Sequence, residues 1–160
     1  MTATSNFIFD YTGRQIDVLA FDGATPRGEV ALQQTLAQPG EGGKITAGIQ
    51  KLAQRFLLEL LTEQGSMLYN PHRGSTFMTE VRLGLLRTQV DVYGSFARAV
   101  DQITDNLIGD ESASDPLDER FASAAINSIA VAPGAAHIYV SLTSRDGTAR
   151  PVILPIALSL

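Results

Sequence analysis

The stretch ITAGIQKLAQRFLLELLTEQG, residues 45–65, decides the fold of this 160-residue chain. Its apolar residues recur at three- and four-residue spacing, which predicts an amphipathic helix over residues 46–64. The apolar positions are Ile45, Ile49, Leu52, Ala53, Phe56, Leu60 and Leu61. Gly65 stands where a glycine commonly ends a helix. Because Leu57 and Leu58 widen the apolar face, the helix either contacts several elements of its own core or also contacts another subunit.

Two further helical patterns follow, one that predicts a helix over residues 88–108 and a shorter one at residues 77–86. The apolar face of the longer pattern comprises Tyr93, Phe96, Ala97, Val100, Ile103 and Leu107. An acidic run accompanies its C-terminal end: Asp101, Asp105, Asp110, Glu111, Asp115, Asp118 and Glu119. Acidic groups there oppose the helix dipole unless basic groups lie nearby. We interpret the run as a solvated face and loop, or as a docking surface for a basic partner.

The last third of the chain predicts an antiparallel sheet over residues 126–158, with a hairpin turn at residues 145–148. Its strands are expected at residues 126–131, 137–143 and 151–158. Pro151 and Pro155 lie four residues apart, so their missing N–H groups fall on the same edge of the final strand. The final strand is therefore predicted to be an edge strand whose prolines limit growth of the sheet.

The first 43 residues are predicted to form an arm that is separate from the main fold of residues 44–160. Residues 6–23 have the pattern of a β-hairpin with a glycine-containing turn. Residues 23–43 contain five glycines and two prolines, which is typical of a linker. The fold class that follows is α+β: amphipathic helices and then a small C-terminal antiparallel sheet, preceded by an N-terminal β-hairpin arm.

The composition argues against several kinds of function. The chain has no Cys, two His and two lysines, and its 12 basic against 17 acidic residues give a net charge of −5. Without Cys it has no disulfide, no thiolate zinc site and no cysteine nucleophile, and the acidic balance argues against nucleic acid as a partner. The N-terminal apolar stretch is interrupted by charges, so we expect neither a signal peptide nor a membrane span, and a mature chain that keeps every residue.

No residue pattern predicts a catalytic, metal or cofactor site. The glycine-rich stretch at residues 38–44 lacks the first Gly of a phosphate-binding loop and the Ser or Thr after its Lys. Glu59 and Glu63 lie one turn apart on the first helix, which usually indicates a solvated edge, with a pair of glycosidase carboxylates as the alternative. His72 and His137 have no partner at metal-ligand spacing.

One segment resembles a known family. Residues 57–74 read LLELLTEQGSMLYNPHRG, and they resemble the baseplate wedge protein family of contractile-tailed bacteriophages. That family has a helix ending in Leu-Leu-x-Thr-x-x-Gly, a short loop with Pro and Gly, further helix, a Glu-Pro-Arg-type tripeptide and a C-terminal sheet. The tripeptide position here is Asp118-Glu119-Arg120, followed by the apolar Phe121. The agreement in order and spacing spans residues 45–158.

The chain also departs from the family pattern. Ser66-Met67 stand where the family often has Glu-Arg after the helix-ending Gly. The Pro of the tripeptide is replaced by Glu119, and the N-terminal arm has no counterpart in the family.

The resemblance implies a structural protein of the virion, assembled in the host cytoplasm, that is not an enzyme. Its implied partners are other baseplate wedge subunits in a core bundle, the tail hub and the tail sheath, whose assembly it templates. No cofactor, nucleic acid, membrane or small-molecule substrate is implied. The outer edge of the first strand is expected to recruit the sheath by strand addition, and Arg120 to hold its loop through paired carboxylates.

The residues that we expect to serve protein interaction are Asp118, Glu119, Arg120, Phe56, Leu60, Leu61, Ile138 and Val140. Two alternatives stay open. Members of the resembling family have been labelled lysozyme-like, which would make this chain a peptidoglycan-cleaving tail enzyme. A related protein is a baseplate component of type VI secretion systems.

Overall fold

The computed structural model describes residues 17–18, 45–132 and 135–157. The helices are α1 (Ile49–Leu61), α2 (Phe77–Arg82) and α3 (Gln89–Gly109), and a 3₁₀ turn spans Leu117–Glu119. The strands are β1 (Asp17–Val18), β2 (Ile45–Thr46), β3 (Phe121–Ala132), β4 (Ala135–Ser144) and β5 (Ala149–Ala157). Helices followed by a three-stranded antiparallel C-terminal sheet confirm the predicted α+β class.

The helix boundaries differ from the predicted ones for local reasons. Gly48 has φ 63° and precedes α1, so the helix begins at Ile49. It ends at Leu61 because Thr62 is extended, and the chain then forms an isolated bridge between Glu63 and Ser75. The prediction that Gly65 ends the helix was therefore wrong.

The other two helices follow their capping residues. Thr88 precedes α3 and accepts a hydrogen bond from the backbone N–H of Asp91, whose carboxylate accepts the N–H of Thr88 in return. This capping box fixes the start of α3 within one residue of the prediction. The shorter helix α2 stops at Arg82 because Gly84 adopts φ 64°, a left-handed conformation that a helix does not contain.

The C-terminal sheet has the strand order β3-β4-β5, so β4 is central and β5 is an edge strand, as predicted. The hairpin turn at residues 145–148 is also present, and Asp146 accepts hydrogen bonds from Ser144 and Thr148 in it. The first strand is longer than predicted, since it begins at Phe121 and not at Ile126.

Of the predicted N-terminal hairpin arm, only Asp17–Val18 lies within the described residues. These two residues pair antiparallel with Ile45–Thr46, immediately before α1. Residues 1–16 and 19–44, and with them the rest of the hairpin and the linker, lie outside the described part. The division of the chain at residue 43 stays a prediction.

The core lies between the helices and one face of the sheet. Phe56 of α1 stacks on Phe121 of β3 with 6.2 Å between ring centroids, and it also contacts Phe96 of α3 at 6.4 Å. Phe77 of α2 meets the edge of Phe96 at 6.1 Å. These aromatic contacts join all three helices to the start of the sheet. The sheet contributes alternate residues of its last two strands: Ala136, Ile138, Val140, Leu142, Val152, Leu154 and Ile156.

Candidate interaction surface

Four of the five apolar residues expected at a partner interface lie inside this chain. Phe56, Leu60, Ile138 and Val140 are fully buried in the hydrophobic core. In this fold they support the surface and do not form it, because no part of their side chains is left for a second protein to contact. Leu61, at the C-terminal end of α1, is half-buried.

Glu119 caps the first helix from a distant part of the sequence. It is 2% exposed, and its Oε1 accepts the backbone N–H of Gly48 at 2.9 Å. Its Oε2 accepts a hydrogen bond from Nζ of Lys51 at 3.0 Å. The N-terminal N–H groups of a helix lack partners within the helix and favour a nearby negative charge. Since Gly48 has no side chain to cap α1, the carboxylate of Glu119 supplies that cap.

Arg120 holds its loop, but not through carboxylates. Its Nε donates to the backbone carbonyl of Asp115 at 3.0 Å, and its Nη2 donates to the carbonyl of Ala113 at 2.6 Å. The carboxylate of Asp115 instead accepts the backbone N–H of Ser112 within a local turn. The predicted carboxylate pairing was therefore wrong, because the loop turns its carbonyl oxygens toward the guanidinium. Asp118 is half-buried beside Glu119.

An ion pair, which the sequence did not reveal, fixes the beginning of β3. Glu111 is largely buried, and its Oε1 accepts the backbone N–H of Phe121 at 2.7 Å. Its Oε2 lies 3.0 Å from Nη2 of Arg145, which follows β4. The Nε of Arg145 donates to the backbone carbonyl of Phe121 at 3.3 Å. Both backbone groups of Phe121 are thus held by one ion pair.

Basic side chains do lie beside the acidic end of α3. Arg55 donates to the carbonyl of Leu107, and Arg73 forms ion pairs with Asp110 and Glu59. Burial alone would lower the pKa of Arg73, but its hydrogen bond to Asp110 and the charges of both carboxylates outweigh burial and raise that pKa above its ordinary value. Much of the acidic run is therefore engaged within the protein.

Glu59 and Glu63, the residues weighed as glycosidase carboxylates, each pair with a different arginine. Glu59 is buried, binds Arg73 and accepts the backbone N–H of Gly74 at 3.1 Å. Glu63 lies 3.2 Å from Nε of Arg82. These contacts hold the loop between α1 and α2. Within the described part of the chain, no group of three His, Cys, Asp or Glu residues is placed to hold a metal ion.

Among the described residues, β3 has the longest strand edge without a partner strand. No described strand pairs with this edge, because β4 lies on the other side of β3. The twelve residues of β3 read FASAAINSIAVA and include no charged residue and no proline. Its exposed residues are small, with Val131 as the exception: Ala122, Ser123, Ala125, Asn127, Ser128, Ala130 and Val131. Edge strands normally carry charge or proline that prevents pairing with other chains.

The opposite edge of the sheet differs. Pro151 and Pro155 lie in β5, opposite Ser141 and His137 of β4, and the register between the two strands passes through both without a shift. This is the arrangement expected when the nitrogens of the prolines lie on the outer edge of β5. That edge then lacks two donors, whereas β3 contains no proline.

A second exposed apolar feature is the loop between α1 and α2. Met67 is half-exposed, and Leu68 and Tyr69 are 84% and 96% exposed. The loop is closed at its base by backbone hydrogen bonds between Thr62 and Ser75 and between Gln64 and Ser75.

Comparisons of the chain with protein-family models, with curated proteins and with solved structures find no match. None of the helices in the described residues has the length and apolar character needed to cross a membrane.

Proposed function

We propose that this protein is a structural component of the baseplate wedge of a contractile tail, and that the outer edge of β3 accepts a strand from the tail sheath. The resemblance of residues 57–74 and of the tripeptide at residues 118–120 to the wedge family suggests this role. The observation that carries it is the edge of β3: twelve residues without charge or proline, on a sheet that is backed by helices.

Strand addition gives a function to a strand edge that carries neither charge nor proline. An incoming strand satisfies the unpaired N–H and C=O groups of the edge, and the main-chain hydrogen bonds contribute affinity without a specific side-chain pocket. The side chains of a strand point to the two faces of the sheet, so those of β3 do not stand between its edge and a second backbone. The prolines of β5 restrict addition to one side, so growth of the sheet would start in a single direction.

A template for strand addition must also be rigid. Two buried carboxylates, those of Glu111 and Glu119, hold the start of β3 in place. Glu119 joins the turn before β3 to the start of α1, and Glu111 with Arg145 holds both backbone groups of Phe121. The first residue of the edge strand is thereby tied to the helices and to the end of β4. In this proposal the tripeptide position acts from within the protein, by orienting the sheet.

The proposed partners are the other wedge subunits, the hub and the sheath, in a hetero-oligomer within the virion after assembly in the host cytoplasm. The proposal includes no catalytic step, cofactor, nucleic acid, membrane or small-molecule substrate. Because Glu59 and Glu63 are engaged with Arg73 and Arg82, no contact among the described residues favours the lysozyme-like alternative. A turbidity assay on peptidoglycan tests it: activity that is lost in Glu59→Gln or Glu63→Gln would contradict a purely structural role.

The central experiment is co-expression with the tail proteins that neighbouring genes encode, followed by co-purification and electron microscopy of the sheath. The genes themselves separate a phage tail from a type VI secretion system. We expect a stable hetero-oligomer and full-length sheaths. Failure to form any stable hetero-oligomer would contradict the proposal.

A variant at the edge tests the mode of recruitment. Ala130→Lys places a charge on the exposed side of β3. Ala97→Lys places the same charge on α3, at a position that was predicted to lie on the apolar face of the helix but is exposed. We expect unpolymerised sheath with Ala130→Lys and normal sheath with Ala97→Lys. Full-length sheaths with both variants would contradict recruitment through β3.

A further inference from the structure

The outer edge of β3, which no described strand pairs with, can also pair with the same edge of another copy. The chain carries a net charge of −5, yet β3 contributes none of it. Two copies can therefore bring these edges together without placing like charges opposite each other. Antiparallel pairing about a two-fold axis presents the same strand to itself, which is the self-complementary contact of a symmetric dimer.

The other edge of the sheet limits what such pairing can build. If both edges accepted strands, copies would add one after another into an open filament. The prolines of β5 remove two donors from its outer edge, so one pairing through β3 uses the only edge without proline in the C-terminal sheet of the described residues. The result is a closed dimer.

We infer that the free protein forms a two-fold dimer in which the β3 strands pair antiparallel, so that the sheets of both copies become continuous. The inference requires only this chain and does not depend on the proposed role in a tail. If that role holds as well, the dimer covers the edge that recruits the sheath and must dissociate before assembly.

The expected dimer is weak and exchanges readily. Register shifts near Phe121 and near Asn127 interrupt the regular backbone of β3, and such bulges reduce the length of strand that can pair without a break. A contact formed by one short strand from each copy buries on the order of 1,000 Å² or less, which is the range of transient interfaces. The association should therefore be visible at high protein concentration and reversible on dilution.

Sedimentation equilibrium of the full chain over about two orders of magnitude in concentration measures this association. Ala125 is exposed next to the middle of β3, so a charge at this position is repeated close to the two-fold axis. We expect Ala125→Glu to weaken dimerisation by at least about tenfold, because like charges then lie across the new strand pair. Ala97→Glu, on the exposed face of α3, is the matched control and should dimerise as the unchanged protein does.

Hydrogen exchange of the unchanged protein at low and high concentration locates the contact. We expect amide protection in residues 122–131 to rise with concentration. A mass of one chain at every concentration would overturn the inference. So would a dimer that Ala125→Glu leaves intact, because the contact would then lie elsewhere, for example at Met67, Leu68 and Tyr69. Protection of β3 that is already complete in a monomer would also overturn it.

Discussion

The substitution Glu119→Gln tests how much the negative charge of Glu119, which lies in the 3₁₀ turn at the start of α1, contributes to the free energy of unfolding. The glutamine amide would keep the shape of the side chain and could still accept the N–H of Gly48, but it would leave Lys51 without this negative partner. The side chains of Glu119 and Lys51 are 2% and 12% exposed, so little water replaces the lost interaction. Breaking a buried ion pair on one side costs about 3–5 kcal/mol, and losing a charge at a helix N-terminus adds a few tenths to about 1 kcal/mol.

Because Lys51 can turn toward water on its flexible stem, we expect the lower part of that range, about 3 kcal/mol. For a chain of this size that corresponds to a fall in Tm of roughly 6–12 °C. Urea unfolding followed by circular dichroism gives the free energy, and calorimetry gives Tm. The matched control is Glu63→Gln, whose partner Arg82 is 66% exposed; it should cost less than about 1 kcal/mol.

A double-mutant cycle with Lys51→Met isolates the pair itself. We expect the double variant to be more stable than the sum of the single effects predicts, by about 1–3 kcal/mol, because the lysine charge that loses Glu119 is removed as well. A loss below about 0.5 kcal/mol in Glu119→Gln, or strict additivity in the cycle, would refute the conclusion that the charge of Glu119, through its buried pair with Lys51, stabilises the start of α1.

Three further changes have defined outcomes. Arg120→Ala removes both hydrogen bonds to loop carbonyls, so we expect a soluble protein that is less stable by about 1–2 kcal/mol. We also expect this variant to yield unpolymerised sheath. Normal sheaths would count against a role of Arg120 in sheath assembly. Ser95→Ala should raise stability in urea unfolding by about 1 kcal/mol, because the Ser95 hydroxyl is buried without a partner among the described residues; a loss would show a missed contact. Hydrogen bonds from Ser144 and Thr148 lower the pKa of Asp146 in the folded protein. The stability that its carboxylate contributes is therefore present above about pH 4 and is lost as pH falls through this lowered pKa. Asp146→Asn should make Tm depend less on pH in that range, and an unchanged profile of Tm against pH would contradict this contribution.

Helices with strong periodicity were predictable from the sequence. The helix α3 begins and ends within one residue of the expected positions, whereas α1 begins three residues later and ends three residues earlier than expected. Their ends required local information: a glycine with positive φ starts α1, and the Thr88–Asp91 capping box starts α3. The early start of β3 was missed because residues 122–125 are only Ala and Ser, so they show no alternation of large apolar and polar side chains.

The interaction surface was less predictable. The spacing of Phe56 and Leu60 indicates that these residues are buried, but it does not say which molecule buries them, and here their own chain does. The bond between Glu119 and Gly48 spans 71 positions, and no local pattern reports such a contact. A hint was present in Lys51, one of two lysines in the chain, placed in the first turn of a helix where a positive charge is unfavourable without a negative partner.

The short pairing of Asp17–Val18 with Ile45–Thr46 has a consequence for how the chain tolerates change in length. It holds the two ends of residues 19–44 side by side, so the distance that this segment must bridge does not depend on how many residues it contains. The entropy of closing such a segment rises only with the logarithm of its length, by about 0.6 kcal/mol for each doubling. Doubling the length of this segment should therefore cost the pairing of Asp17–Val18 with Ile45–Thr46 only about 0.6 kcal/mol of closure entropy, which urea unfolding of a lengthened variant measures.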